Sequence, residues 1–225
     1  MCMNIKLFFE ALFKFSLGLI LVGLLIFVPA NTMKFWNGWL FMGLLFIPMF
    51  IAGIVMLFKA PNLLKSRLDA REKETEQKSV VALSGLMFLA GFIIAGLNYR
   101  FNWLTLPKII VIIASIIFLL SYILYAEVLR ENIFLSRTIG VQKDQKVIDT
   151  GLYGIVRHPM YFATIFLFLS MPLILGSFIS FIIFLVYPFI IVKRIKNEEQ
   201  ILEKELKGYK EYKKKVKYKI IPFIW

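Results

Sequence analysis

The chain has 225 residues, 60% of them apolar, with a mean hydropathy of +0.77 and a net charge of +13. Because soluble domains are about half apolar at most, this composition excludes an ordinary soluble domain and predicts a protein that crosses the bilayer several times. Cys2 is the only cysteine, which excludes an internal disulfide and a multi-cysteine structural zinc site.

Six apolar segments follow one another and predict an all-α, polytopic membrane helical bundle of about six spans. The first segment is flanked by lysines and lacks a small-residue cleavage site, so we read it as a retained span and not as a signal peptide. The predicted spans are 15–30, 37–58, 80–98, 107–127, 160–174 and 177–193.

The last two spans come from one uninterrupted apolar run, residues 160–193. As a single helix this run would be about 50 Å long, whereas the hydrocarbon core of a bilayer is about 30 Å thick. Pro172, Gly176 and Ser177 lie near its middle. We therefore predict a tight C-terminal hairpin of two short helices that turns at "PLILGS".

The basic residues predict that both termini are cytoplasmic. With six spans, all but three of the 27 Lys and Arg residues fall on the side of the termini, and only Lys34, Arg100 and Lys108 fall on the other side. Membrane proteins keep Lys and Arg on the cytoplasmic side. The net charge thus follows from topology, with some attraction to anionic membrane lipid, and does not indicate a nucleic-acid partner.

The chain divides unevenly into two regions. Residues 1–128 hold four N-terminal spans and their connectors, including the mixed-charge segment Ser66–Ser79, which we read as a solvated cytoplasmic connector. Residues 129–225 hold a polar loop, the hairpin, a cytoplasmic helix and a tail. Chemistry is therefore expected in the second region.

The stretch "TGLYGIVRHPMYFATI" contains the only histidine, His158. Pro159 suits the first turn of a helix, and the positive end of that helix suits an anion such as a carboxylate or phosphate. For Arg157 alone we expect a side chain that snorkels to the interface. His158, Tyr153 and Tyr161 together, in a loop punctuated by glycine, predict a site.

A second polar segment, "KRIKNEEQILEKEL", follows the last span. Arg194 and Glu198 are four residues apart and share one helix face. The hairpin is expected to bring Glu198 and Glu199 to the depth of His158, although spacing alone would favour an ordinary surface helix. The tail "GYKEYKKKVKYKIIPFIW" reads as an interfacial anchor that could also cover the site.

Other chemistries find no support in the sequence. There is one histidine with no cysteine near it, so no metal site is predicted, and no Walker or G-x-G-x-x-G motif indicates a soluble-type nucleotide fold. Glu127, at the inner end of the fourth span, is a weak hint of a site.

The segments "GLYGIVRHPMY", "EEQIL" and "GYKEYKKKV...PFI", with the hairpin between the first two, resemble the isoprenylcysteine carboxyl methyltransferase family. Its wider group includes phospholipid methyltransferases. The resemblance covers about residues 127–225 and makes 129–225 the expected catalytic region. It implies methylation with S-adenosylmethionine at a cytoplasmic cofactor site in the membrane, without a soluble Rossmann domain.

The resemblance also implies roles for individual residues. Arg194 would face the acceptor, Glu198 would bind the polar end of the cofactor, and these two are the expected catalytic residues. Tyr153 would pack on the cofactor. The other expected cofactor contacts are Gln142, Gln145, Lys146, Val147, Ile148, His158, Pro159, Met160 and Tyr161.

Several acceptors and activities remain open. A lipophilic, isoprenylcysteine-like carboxylate is the first hypothesis, because an ionised carboxylate needs no general base at neutral pH. N-methylation of a phospholipid amine would need a base, for which Glu198 or Glu199 is the candidate. An NADPH-dependent enzyme of the sterol-reductase type and a non-enzymatic transporter or scaffold are the further alternatives.

Overall fold

The structure is a computed structural model that describes residues 5–69, 75–136 and 138–225. Cys2 and part of the predicted connector Ser66–Ser79 lie outside these residues. The described residues form nine α-helices and one 3-10 helix and no strand. The α-helices are α1 Ile5–Ala30, α2 Trp36–Lys59, α3 Pro61–Leu68, α4 Thr75–Phe101, α5 Lys108–Glu131, α6 Pro159–Ile174, α7 Phe178–Phe184, α8 Tyr187–Glu205 and α9 Tyr209–Lys215, and the 3-10 helix is Gly151–Gly154.

The all-α membrane bundle predicted from the hydropathy pattern is confirmed. Five of the described helical segments are long and apolar enough to cross a membrane: Ile5–Ala30, Trp36–Lys59, Gln77–Phe101, Lys108–Glu131 and Phe178–Glu205, the last of which joins α7 and α8. The predicted span 160–174 corresponds to α6, whose 16 residues reach about 24 Å and fall short of a full crossing. The first span begins earlier than predicted because its helix includes Lys6, Glu10 and Lys14.

The predicted hairpin turn lies between α6 and α7. Gly176 has a φ of 72°, a left-handed conformation that glycine adopts without strain. Its carbonyl accepts from the backbone N–H of Leu106 at 3.0 Å, and Phe178 N–H donates to Leu104 O at 3.3 Å. These bonds fix the turn against the α4–α5 loop, at one end of the bundle.

Phenylalanines from four helices form the core of the membrane bundle. Phe41 of α2 contacts Phe92 of α4 and Phe118 of α5, and Phe92 also contacts Phe184 of α7. Gly91 permits the close approach of α7 to α4, because a Cβ there would lie 2.2 Å from Cε2 of Phe184. Small residues serve in this way where transmembrane helices pack tightly.

The polar segments meet at the opposite end of the bundle. Lys193 Nζ of α8 donates to Ser79 Oγ in the first turns of α4 at 3.2 Å. Gly208, with a φ of 88°, reverses the chain between α8 and α9. The tail then runs back beside the start of α6, where Arg157 and His158 N–H donate to the carbonyls of Tyr218 and Lys219 at 2.9 and 2.8 Å.

Candidate active site

The loop between α5 and α6 is held by side chains at the end of α5. Asn132 Nδ2 donates to Tyr153 Oη at 3.0 Å, and Leu152 N–H donates to Oε2 of Glu131 at 3.0 Å. A further hydrogen bond stabilises the same loop: the backbone N–H of Gln142 donates to Oε1 of Gln145 at 2.8 Å. The loop therefore presents a defined face towards α6 and α8.

Gly151 is the tightest point of this loop. Its φ of 51° is left-handed, and a Cβ there would lie 1.4 Å from Oε1 of Glu131. We expect Gly151→Ala to destabilise the fold by about 1–3 kcal/mol, measured as a lower apparent melting temperature. Gly85→Ala is the matched control, because within the described structure a Cβ at Gly85 meets nothing within 4 Å. An equal melting temperature for both variants would contradict this account of the loop.

A buried carboxylate, Glu199, joins α8 to the start of α6 and to the tail. Its Oε1 accepts from Arg157 Nε at 2.7 Å and lies 3.3 Å from Nε2 of His158. Its Oε2 lies 3.5 Å from Lys219 Nζ and 3.8 Å from Lys213 Nζ. The predicted proximity of Glu199 to His158 is thus confirmed, and several cations compensate one buried negative charge.

Arg157 does not snorkel, contrary to the expectation from its sequence position. It is only 6% exposed, and besides its bond to Glu199 its Nη1 donates to the carbonyls of Val216 and Lys217, each at 2.7 Å. The tail folds over Arg157 and supplies these acceptors, so the guanidinium finds partners inside the protein and does not need the interface.

A second polar chain runs from α8 to α6 and back. Arg194 Nε donates to Tyr161 Oη at 2.9 Å, and Tyr161 Oη donates to Oε2 of Glu198 at 2.6 Å. The ring of Tyr161 also stacks on that of His158, with centroids 5.6 Å apart. Arg194 and Glu198 share a face as predicted, and Tyr161 is the group that connects them.

Tyrosines of α9 close the remaining side. Tyr209 and Tyr212 are buried and line the cleft, so this part of the tail covers the site, the second of its two predicted roles, and does not lie in the headgroup region as an interfacial anchor. Tyr212 Oη donates to Tyr153 O at 2.8 Å, whereas Tyr209 Oη is buried with no hydrogen-bond partner among the described residues. Burial raises the pKa of Tyr153, Tyr209 and Tyr212, so each hydroxyl stays protonated at neutral pH.

These elements border a cleft between the α5–α6 loop, the start of α6, the polar end of α8 and α9. Most of the residues expected to contact a cofactor or acceptor line it. They are Gln145, Lys146, Val147, Ile148, Tyr153, His158, Met160, Tyr161, Arg194 and Glu198.

Two of the expected residues are not among the described lining residues. Gln142 directs its side chain to the carbonyl of Phe134 and so braces the loop behind the cleft. Pro159 occupies the first turn of α6 and is buried there, with His158 as the N-terminal cap residue. Both support the cleft from behind.

The cleft also has lining residues that sequence reasoning did not assign to it. They are Asn132, Phe134, Leu135, Ser136, Thr138, Ile139, Gly140, Arg157, Leu202, Leu206, Tyr209 and Tyr212. Leu202 on α8 and Leu206, the residue that caps its C-terminus, could have been found from their apolar spacing. The loop residues carry no periodic signal, because their backbone is irregular.

Other features lie outside the cleft. Glu127 pairs with Arg130 at 2.6 Å on the protein surface, and this exposed carboxylate does not line the cleft within the described chain. Among the described residues, no group of three or more His, Cys, Asp or Glu side chains could hold a metal ion.

Comparison with known proteins identifies a family that matches part of this chain. Residues 109–204 match the model of the isoprenylcysteine carboxyl methyltransferase family. The matched segment is similar to members of that family. It runs from α5 into α8 and so contains the start of α6, Arg194 and Glu198, whereas α9 and the tail fall outside the match. Together with the five apolar helices, the family match supports an integral membrane methyltransferase.

A curated relative carries a different printed activity. The chain is 31% identical over 91 residues to a Delta(14)-sterol reductase of Mus musculus. The alignment covers 39% of this chain and 22% of the relative, so the chain spans about a fifth of that relative's length. A membrane methyltransferase family and a sterol reductase therefore share sequence features with this chain.

Proposed function

We propose that the protein transfers a methyl group from S-adenosylmethionine to the carboxylate of a lipophilic, isoprenylcysteine-like acceptor. The observation that carries the proposal is the cleft, in which the start of α6 and the polar end of α8 meet around Tyr161. In this proposal both termini are cytoplasmic, and residues 129–225 form the catalytic region. The described lining residues all fall within that region.

The residues present fit the cofactor. Bound there, S-adenosylmethionine would supply a methyl group already activated for transfer on a sulfonium centre. The cleft offers the Glu198 carboxylate for the ammonium of its amino-acid part, and the His158 ring lines the same cleft. Tyr153 and Tyr161 offer aromatic faces to a cation, and the buried Tyr209 hydroxyl is a polar group that still lacks a partner among the described residues.

In this proposal Arg194 orients the acceptor. A guanidinium binds a carboxylate through two parallel hydrogen bonds, and Tyr161 and Glu198 hold Arg194 in place for that contact. An acceptor carboxylate with a pKa of about 3.5 is ionised at neutral pH, so no residue has to remove a proton. The task of the site is then alignment of donor and acceptor and exclusion of water.

Product analysis separates the proposed reaction from N-methylation. Membranes containing the protein are incubated with methyl-tritiated S-adenosylmethionine and S-farnesyl-N-acetylcysteine as the carboxylate probe. We expect label that base releases as volatile methanol, the behaviour of a methyl ester. Base-stable label in phospholipid would instead indicate methylation of a lipid amine with Glu198 or Glu199 as the base.

The sterol-reductase relative supports a second candidate, an NADPH-dependent reduction in the same cleft. Arg157, Lys146 and Arg194 provide positive charge that could also receive a phosphate. Direct competition decides between the two: NADPH displaces bound S-adenosylmethionine only if the cleft is a nucleotide site. We expect no displacement.

A further inference from the structure

The first turns of α4 bring one more polar side chain to Arg194. Arg194 Nη1 donates to Oε1 of Gln77 at 3.2 Å, and the neighbouring bond between Lys193 and Ser79 fixes the two helices in the same register. Gln77 is fully buried, with 0% of its surface exposed. It lies outside the segment that matches the family, so the comparison gives it no role.

The amide of Gln77 is only half satisfied. Since a guanidinium can only donate hydrogen bonds, the amide atom that faces Arg194 must be the oxygen. The amide nitrogen is then left buried, and it has no hydrogen-bond partner among the described residues. A buried donor without a partner costs free energy and is uncommon in proteins, which indicates a group that a ligand satisfies.

The position of this donor selects the kind of ligand. Both polar atoms of Gln77 belong to one planar amide, and Oε1 contacts Arg194, so Nε2 lies close to that guanidinium. Arg194 lines the cleft, whereas Gln77 is not among the described lining residues and is reached through Arg194. An N–H donor next to a guanidinium matches the two oxygens of a carboxylate, which accept hydrogen bonds from both groups.

We propose that Gln77 and Arg194 together bind the acceptor's carboxylate, with Gln77 donating one hydrogen bond from Nε2. This inference rests on the proposed function and extends it, because it gives the N-terminal region of the chain a part in the choice of acceptor. Gln77 thereby favours a carboxylate over an amine. Cofactor binding does not depend on it.

The test compares Gln77→Leu and Gln77→Glu with the control Gln200→Leu, which alters an exposed glutamine on α8. For each protein we measure the KM for S-farnesyl-N-acetylcysteine, the Kd for S-adenosylmethionine and the melting temperature. Gln77→Leu is expected to raise the KM about tenfold or more, the usual effect of losing a hydrogen bond to a charged group. Gln77→Glu is expected to raise it further, because its carboxylate repels the acceptor.

The cofactor affinity and the melting temperature decide between a binding and a structural role. In Gln77→Leu we expect the Kd for S-adenosylmethionine to stay at the wild-type value and the melting temperature to fall by only a few degrees, because the change removes the bond from Arg194 to Oε1 together with a buried donor that lacks a described partner. A wild-type KM in Gln77→Leu, or a loss of cofactor affinity that accompanies the higher KM, overturns the inference. Failure of the wild-type protein to methylate the probe refutes the proposed function itself, and that result is distinct from either.

Discussion

Arg157→Met is expected to lower the apparent melting temperature by about 10 °C or more. The variant leaves Glu199 buried without its closest partner and removes the donor of the Val216 and Lys217 carbonyls. Removing one partner of a buried ion pair costs roughly 3–5 kcal/mol, and each kcal/mol corresponds to about 2–4 °C in a chain of this size. Thermal unfolding in detergent measures the change.

The surface pair Arg130–Glu127 provides the matched control. These side chains are 74% and 40% exposed, so Arg130→Met is expected to shift the melting temperature by about 1–2 °C at most. Arg157→Lys keeps the positive charge but lacks the planar guanidinium. Its melting temperature is therefore expected to lie between those of Arg157→Met and Arg130→Met. If Arg157→Met lowered the melting temperature no more than Arg130→Met, the buried network of Arg157 and Glu199 would not stabilise the fold.

Arg194→Ala is expected to lower kcat about 100-fold or more and to leave the Kd for S-adenosylmethionine within about twofold. The bond from Tyr161 to Glu198 does not involve Arg194, so the cofactor side of the cleft keeps its shape. What is lost is the orientation of the acceptor, and small misplacements of a reactant can cost about 100-fold in rate. Steady-state kinetics and calorimetry measure the two effects separately.

Variants of the residues expected to hold the cofactor should lose cofactor binding, which Arg194→Ala is expected to keep. His158→Ala and Glu198→Ala are each expected to abolish cofactor binding, since both side chains line the cleft and belong to its two polar networks. Equal cofactor affinity in the variants of Arg194, His158 and Glu198 would contradict the division of roles between donor and acceptor sides.

Hydropathy predicted the helices because it reports local composition. The boundaries of the spans at Trp36–Lys59 and Lys108–Glu131 lie within a few residues of the predicted ones, and the hairpin turn lies at Gly176 as expected. The meeting of His158 with Glu199 follows from the hairpin, since a chain that enters and leaves the bilayer once returns to the same side.

What the sequence did not predict depends on long-range folding. Arg157 was predicted to snorkel because nothing in its sequence neighbourhood indicates that the tail returns to cover it. Tyr209 and Tyr212 alternate with lysines like interfacial anchors, but the reversal at Gly208 turns them into the cleft. Gln77 is separated from Arg194 by most of the chain, and only packing of α4 on α8 brings them together.

The resemblance to the family identified most of the lining residues but not their individual functions. The predicted contact of Gln142 with the cofactor stays a prediction, and its hydrogen bonds in this structure hold the loop. Pro159 was expected in the lining and lies behind it, because the ring fills the first turn of α6. A motif identifies which residues gather at a site, whereas contacts and burial distinguish those that face it from those that support it.

Calorimetric titration of the purified protein with S-adenosylmethionine shows whether the cleft binds a methyl donor. We predict saturable binding at one site per chain that His158→Ala and Glu198→Ala abolish and that excess NADPH does not displace. Absence of binding to the wild-type protein, or displacement of the bound compound by NADPH, would contradict the assignment of the cleft as a methyl-donor site.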